Sequence, residues 1–94
     1  MGEFGKHVQS LRRARGMTVR ALADAVGKTA GYFSRVEGRG EIPSPELICA
    51  ISDVLKEKPE RLFKLAKADL LQRTEEQIER KTSEALSLHR RAKQ

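Results

Sequence analysis

Apolar residues recur every three or four positions along most of this 94-residue chain, and no segment alternates with a period of two. Spacing of three and four places side chains on one face of an α-helix, whereas alternation is typical of β-strands. Phe4, Val8 and Leu11 have the helical spacing, which predicts a first helix over residues 3–15 that ends at Gly16. The pattern therefore predicts an all-α fold.

Residues 18–37 contain two short helical patterns separated by Gly27. Thr18 and Thr29 each precede one of the patterns, where a hydroxyl can accept from the free backbone N–H groups of a helix start. Gly27 tolerates the positive φ that a sharp turn requires. The inward faces are predicted to consist of Val19, Leu22, Ala23 and Val26 in the first helix and of Ala30, Phe33 and Val36 in the second.

The opposite face of the second helix is basic. Its residues, with those of the adjoining loops, are Lys28, Gly31, Tyr32, Arg35 and Arg39. Two helices joined by a tight turn, with cations on the outer face of the second, are typical of proteins that place a helix in the major groove of DNA. This pattern makes DNA the expected partner.

Two further helices follow a loop rich in glycine and proline, GRGEIPSP. Ser44 followed by Pro45 predicts the start of a fourth helix over residues 45–56, and Pro59 similarly starts a fifth. The residues predicted to face the core are Ile48, Ile51, Val54, Leu55, Leu62, Phe63 and Ala66. Cys49 lies among them in sequence, and we expect it to be a buried structural thiol.

Residues 67–94 contain no glycine or proline and favour helix. Leu71, Ile78, Ala85 and Ala92 repeat every seven residues, and Leu88 is the clearest apolar residue between them. These residues would form an apolar seam along one side of the helix, which predicts a dimerisation helix. The alternative is a solvated helix that frays near its end. Thr74 with Gln77 also has capping-box spacing, so a bend at Thr74 is a second possibility.

The composition suits a polyanionic partner, because 19 Lys and Arg against 13 Asp and Glu give a net charge of +6. No apolar run approaches the ~18 residues that a membrane span needs, and no signal peptide is recognisable, so a cytoplasmic location is expected. His7 and His89 lie far apart and do not have the spacing of a metal-binding motif. The sequence also has no glycine-rich phosphate-binding loop. We therefore expect no enzymatic activity, no cofactor and no bound metal.

The chain resembles the Cro and phage-repressor (XRE-type) helix-turn-helix family over residues 4–63. The matching segments, in the order of the family, are FGKHVQSLRRARGMT, LADAVG, YFSRVEGR, PSPELICAISDVL and KPERLF. The resemblance implies a five-helix DNA-binding domain. The chain leaves the minimal domain of the family beyond about residue 66, and the helical residues that follow make a C-terminal extension. The resemblance also implies a buried ion pair between Arg12 and Glu37, which would make Arg12 structural.

The sequence departs from the family at three places. Val19 stands where a polar residue that contacts phosphate is usual, and Ala30 and Gly31 occupy positions that often read bases. The three residues after Glu37 are Gly38-Arg39-Gly40, whereas the family usually has one variable residue, then glycine, then Lys or Arg.

Arg35 is the leading candidate for base reading, because a guanidinium can donate two bonds to guanine O6 and N7. The alternative for Arg35 is a phosphate contact. Ala30 and Gly31 would permit close approach to the bases, or Ala30 would contact a thymine methyl. The complete set of candidate DNA-binding residues is Arg35, Thr29, Lys28, Ala30, Gly31, Tyr32, Arg39, Arg20 and Thr18.

The function predicted from these features is a sequence-specific transcriptional regulator, a repressor that binds an inverted repeat as a homodimer through a recognition helix at about 29–38. Residues 1–66 are the predicted DNA-binding domain, and 67–94 the predicted dimerisation tail with Leu71, Ile78, Ala85 and Leu88 in its seam. Two alternatives are an antitoxin and autoregulator whose tail binds a protein partner, and a nucleoid-type protein with little sequence preference.

Overall fold

The computed structural model describes residues 2–93, and these form five α-helices without a strand. The helices are α1 (Glu3–Ala14), α2 (Val19–Ala25), α3 (Ala30–Arg39), α4 (Pro45–Leu55) and α5 (Pro59–Ala92). The predicted all-α, five-helix fold is confirmed. Met1 and Gln94, the outer ends of the two predicted segments, lie outside the described residues.

The core lies between all five helices. Helix α1 packs against α3 and α5, α2 packs against α3 and α4, and α4 packs against α5. The buried apolar residues are Phe4, Val8, Leu22, Ala23, Phe33, Val36, Leu47, Ile48, Ile51, Leu55, Leu62 and Ala66. Most of these positions follow from the helical periodicity of the sequence, because each helix turns its apolar stripe to the same centre.

The predicted helix boundaries are accurate to within a residue. Helix α1 ends at Ala14, one residue earlier than predicted, and α4 ends at Leu55 because Lys56 adopts a left-handed conformation with φ 54°. Helix α3, the predicted recognition helix, spans Ala30–Arg39, since Thr29 is its cap and not its first helical residue.

Helix α5 is a single helix of 34 residues, and it continues through Thr74 without a break. The hydroxyl of Thr74 donates to the carbonyl of Leu70 at 2.9 Å, within the helix, so Thr74 does not cap a new one. The alternative of a bend at this position is therefore wrong. The second half of α5 projects from the packed helices and gives the molecule a longest dimension of 61 Å.

The predicted burial of Cys49 is also wrong, because its side chain is exposed. The buried face of α4 is formed by Leu47, Ile48, Ile51, Ser52 and Leu55. Cys49 lies two residues after Leu47, which is a rotation of about 200° around a helix, so it points away from that face.

Candidate nucleic-acid interface

The turn between α2 and α3 is fixed by hydrogen bonds of the backbone. Gly27 has φ +72°, which lets the N–H of Lys28 donate to the carbonyl of Ala23 at 2.8 Å and the N–H of Gly27 donate to Asp24 at 3.3 Å. These two bonds form a Schellman motif, which satisfies the last carbonyls of α2. The chain then enters α3 two residues later, in a defined direction.

Both helices of the motif begin with a capping threonine. The hydroxyl oxygen of Thr18 accepts from the N–H of Ala21 at 3.0 Å, and that of Thr29 accepts from Tyr32 at 3.1 Å. A hydroxyl that accepts a cap bond still has its own hydrogen to donate. Thr18 and Thr29 are both exposed, so each could donate to a phosphate without losing its cap.

Helix α3 is anchored from behind by Phe33 and Val36, neither of which is exposed to solvent. Its outer side carries exposed residues at successive turns, and four of the nine predicted DNA contacts lie there or in the preceding loop. These exposed residues are Lys28 in the preceding loop, Gly31, Arg35 and Arg39. Ala30 is half-buried at the start of the helix.

Tyr32 lies between the core and the cations of the outer face. Its ring meets Phe33 edge-on, with the centroids 5.5 Å apart. Lys28 Nζ is 5.8 Å from the centre of the Tyr32 ring and Arg35 Cζ is 5.6 Å from it, distances at which a cation is attracted to an aromatic face. Partial burial raises the pKa of the Tyr32 hydroxyl, and the nearby Glu41 carboxylate adds to this effect. Tyr32 therefore orients two cations of the candidate interface.

Arg35 has a partner that the sequence did not predict. Its Nε lies 3.3 Å from Oε1 of Glu41, and both side chains are partly exposed. The backbone N–H of Glu41 also donates to the carbonyl of Arg35 at 3.2 Å. The chain returns to Arg35 because Gly40, with φ 74°, ends α3 in a left-handed conformation. A separation of six residues across a helix end has no simple periodic signature, so the pattern did not reveal this pair.

Arg12 and Glu37 form a buried, two-pronged ion pair between α1 and α3. Arg12 Nε donates to Glu37 Oε2 at 2.8 Å, and Nη2 donates to Oε1 at 3.0 Å. The remaining Nη1 donates to the carbonyl of Met17 at 2.7 Å. The hydrogen bond to Glu37 raises the pKa of the Arg12 guanidinium. Arg12 thus lies behind α3 and not on its outer face.

Two residues of α5 also hold the helices around the candidate interface. Asp69 is 5% exposed and accepts the N–H groups of Glu3 and Phe4, each at 3.0 Å. Arg73 donates to the carbonyl of Gly40, the residue that ends α3. Sequence reasoning missed both, although Asp69 continues the spacing of Leu62 and Ala66 on the inward face of α5. An aspartate at a position where the helical spacing calls for an apolar residue was the signal that could have identified Asp69.

The other predicted contacts lie in α2. Arg20 is exposed in its first turn. Val19 is half-buried and packs against the core, so it has turned inward at the position where the family usually has a polar residue. Val19 therefore offers no polar group at the outer surface of α2, and Arg20 is the cation near the start of this helix.

The predicted dimerisation residues, Leu71, Ile78, Ala85 and Leu88, are all exposed on α5. Ile78 and Leu88 expose 59% and 63% of their surface, and Leu70 and Leu86 are exposed beside the seam. Near the base of the projecting helix lies an apolar groove of about 400 Å³, whose walls include Ile42, Phe63, Leu70 and Leu71.

Residues 2–93 contain neither a metal-binding cluster nor a membrane-spanning helix. No group of His, Cys, Asp or Glu side chains is arranged to hold a metal ion there. None of the helices described is long and apolar enough to span a membrane.

Comparison with known proteins supports the same family. A profile of the helix-turn-helix domain family matches residues 3–80. RghRB of Bacillus subtilis strain 168, described as an uncharacterized HTH-type transcriptional regulator, is 38% identical over 67 residues. That match covers 70% of this chain but 48% of RghRB, so the chain spans about half the length of this relative.

Solved structures have the same architecture. The clp gene regulator ClgR from Corynebacterium glutamicum has a TM-score of 0.60 at 28% identity, over 82% of this chain and 83% of ClgR. The restriction-modification controller protein C.AhdI from Aeromonas hydrophila has a TM-score of 0.59 at 28% identity, over 64% of this chain and 87% of its own. SinR, a master regulator for biofilm formation solved in complex with DNA, shares the fold with a TM-score of 0.59 at 24% identity, over 64% of this chain and 97% of SinR.

The family profile spans most of the chain, and the helix order, capped turn and Arg12–Glu37 pair lie within its limits. The protein belongs to the helix-turn-helix family, in its Cro and phage-repressor (XRE-type) branch.

Proposed function

We propose that this protein is a sequence-specific transcriptional regulator that binds double-stranded DNA with α3 in the major groove. The observation that carries the proposal is the division of α3 into two faces. Phe33 and Val36 are fully buried on one, while Arg35 and the neighbouring cations are exposed on the other. An α-helix fits the major groove of B-form DNA, where each base pair presents a distinct set of donors and acceptors.

Arg35 is the proposed base-reading residue. It is the long donor side chain near the middle of the outer face of α3, and guanine accepts two parallel bonds from a guanidinium. Ala30 and Gly31 bring no side-chain donors, so their role is to allow the backbone of α3 close to the bases.

The remaining candidate residues are proposed to hold the phosphate backbone. Thr18 and Thr29 would donate hydroxyl hydrogens at helix starts, where the helix dipole also favours an anion. Lys28, Arg20 and Arg39 would supply charge on either side of α3. Tyr32 would orient Lys28 and Arg35 and could donate its hydroxyl to a phosphate.

The regulator is proposed to act as a homodimer on an inverted repeat. The support is the exposed apolar seam of Leu71, Ile78, Ala85 and Leu88, which has no partner within residues 2–93. In this proposal residues 1–66 bind DNA and residues 67–94 dimerise, although α5 is continuous across the division. A twofold dimer reads half-sites about one helical turn, roughly 34 Å, apart. The dimer would repress transcription by occupying a promoter. It would act in the cytoplasm, in contact with the nucleoid.

The exposed apolar residues of α5 also favour a second candidate, which is an antitoxin and autoregulator whose tail binds a different protein. Apolar patches of this kind mark protein interfaces in general and do not identify the partner. A third candidate, a nucleoid-type protein with little sequence preference, is favoured by the absence of side-chain donors at Ala30 and Gly31.

Selection from a randomised DNA duplex, repeated at two salt concentrations, separates these functions. A dimeric regulator should enrich an inverted repeat, and Arg35→Ala should relax the enriched sequence at one position in each half-site. Arg80→Ala is the matched control, because it removes the same charge from an exposed site on α5. Salt-sensitive retention without enrichment would favour the nucleoid-type protein, because phosphate contacts then dominate. Failure to bind any duplex would contradict all DNA-binding functions and direct attention to a protein partner of α5.

A further inference from the structure

Glu41 places a carboxylate beside the proposed base-reading residue. The pair with Arg35 is not buried, since the side chains are 48% and 39% exposed. The backbone nevertheless holds the two residues next to each other, because the N–H of Glu41 donates to the carbonyl of Arg35. The carboxylate is therefore always within reach of the guanidinium.

A carboxylate in this position has two effects on DNA binding. It competes with DNA for the guanidinium of Arg35, and it repels phosphates that approach the end of α3. Neither effect helps affinity. A single phosphate offers Arg35 a contact much like the one that Glu41 already provides, so exchanging one for the other brings little gain.

A guanine in the major groove offers more, because its O6 and N7 accept two parallel bonds from one guanidinium. This contact discriminates against other bases by about 5- to 150-fold. An exposed ion pair such as Arg35–Glu41 is weak by comparison. Guanine can therefore take Arg35 from Glu41, whereas the phosphate backbone of an arbitrary sequence gains little by doing so.

We propose that Glu41 is a specificity-determining residue, which holds Arg35 away from phosphates and releases it to guanine. The inference rests on the proposed function and adds to it a residue that limits non-specific binding. Tyr32 supports the same arrangement, because Arg35 remains over its ring while it is paired with Glu41.

The test measures the affinity of full-length Glu41→Gln for two duplexes over a range of salt concentrations. One is the sequence enriched by the wild-type protein, and the other is an alternating dA and dT duplex, which contains no guanine. We expect affinity for the dA and dT duplex to rise about 3- to 10-fold, and its salt dependence to steepen by about 0.9 in log–log slope for each bound subunit, which is one added phosphate contact per subunit. Affinity for the enriched duplex should change less, so the ratio between the two should fall.

Two control variants identify the mechanism. Glu60→Gln removes an equal charge from an exposed site in the first turn of α5 and should leave both affinities unchanged. Arg35→Ala combined with Glu41→Gln tests whether the effect passes through Arg35. In that background Glu41→Gln should still remove the repulsion of phosphates, but it should change the salt slope less than it does when Arg35 is present, because no guanidinium is left to release.

The outcomes separate this inference from the proposed function. If Glu41→Gln alters neither duplex, or has an equal effect with and without Arg35, Glu41 does not act by holding Arg35 and the inference is overturned. If the wild-type protein binds DNA without enriching any sequence, the protein has no sequence selectivity that Glu41 could increase. This result would also overturn the inference. If the wild-type protein binds no duplex, the proposed function itself fails.

Discussion

The carboxylate of Asp69, on α5, accepts the backbone N–H of Phe4, on α1, at 3.0 Å, and it accepts that of Glu3 at the same distance. A residue distant in sequence thus supplies the N-terminal cap that α1 lacks locally, because Gly2 has no side chain to offer. A carboxylate at a helix start satisfies free N–H groups and also interacts favourably with the helix dipole.

Asp69→Asn should therefore destabilise the protein. The amide can accept one of the two bonds, but its NH₂ group then faces a backbone N–H. We expect a loss of about 1–3 kcal/mol in the free energy of unfolding, measured by urea denaturation. Asp53→Asn is the control, because it makes the same change at an exposed position of α4. Equal effects of the two variants would show that the cap contributes nothing.

Glu37→Ala should cost more, because it leaves the Arg12 guanidinium buried with only the carbonyl of Met17 as partner. Removal of one member of a buried pair typically costs about 3–5 kcal/mol, out of a total stability of about 5–15 kcal/mol. Thermal unfolding followed by circular dichroism would measure the loss. The double variant Arg12→Met, Glu37→Leu should be much less destabilised, and a melting temperature unchanged by Glu37→Ala would refute the structural role.

Two glycines should respond to alanine with opposite signs. Gly5 lies where α1 meets α3, and a Cβ at this position would collide with the carbonyl of Val36. Gly5→Ala should thus destabilise the protein by about 1–3 kcal/mol, as overpacking does. Gly38 lies in α3 with open space around it, so Gly38→Ala should stabilise by about 0.5–1 kcal/mol. Chemical denaturation of both variants tests the close approach of α1 to α3, and stabilisation by Gly5→Ala would disprove it.

A chain that ends at Arg73 should fold but bind DNA poorly. It retains Asp69 and Arg73, whose contacts hold α5 to α1 and to the end of α3, and it loses most of the apolar seam. We expect nearly unchanged stability of the remaining helices and a loss of about 100-fold or more in affinity for an inverted repeat, because the two half-sites are no longer bound together.

In the full-length chain, Ile78→Ser should weaken self-association, measured by sedimentation equilibrium. Leu86→Ser is the control, because Leu86 is an exposed leucine that does not belong to the seam that repeats every seven residues. Equal DNA affinity of the truncated and full-length chains at low protein concentration would contradict the dimer.

Stability should also depend on pH through Glu57. His7 Nε2 donates to Glu57 Oε2 at 2.9 Å, and this bond, with one from the backbone N–H of Lys58, lowers the pKa of Glu57. A carboxyl whose pKa is lowered by folding contributes stability above its ordinary pKa, about 4.5, and loses the contribution as pH falls through the lower folded-state value.

Glu57→Gln should accordingly reduce the loss of stability between neutral pH and pH 3, measured by urea denaturation at a series of pH values. Glu60→Gln changes a nearby exposed carboxylate and should leave the pH dependence as in the wild type. If Glu57→Gln also left it unchanged, the bond to His7 would not be coupled to folding.

The sequence alone determined the helices and most of the core. Spacing of three and four put Phe33 and Val36 on the inward face of α3, and Gly27, Thr18 and Thr29 marked the turn and its caps. Such features depend on residues close in sequence, and periodicity and cap chemistry report them directly. Cys49 shows the limit of this reasoning, because apolar neighbours in sequence do not decide which face of α4 a residue occupies.

Tertiary structure decided the interactions between residues distant in sequence or separated by a helix end. Asp69 reaches α1, Arg73 reaches Gly40, and Glu41 returns to Arg35 only once Gly40 has ended α3 and the five helices have packed. These contacts depend on where helices end and how they cross, which no local pattern specifies. The sequence by itself therefore determined that α3 has cations on the face opposite to its apolar residues, and only the folded chain showed that the central cation, Arg35, is paired with a carboxylate.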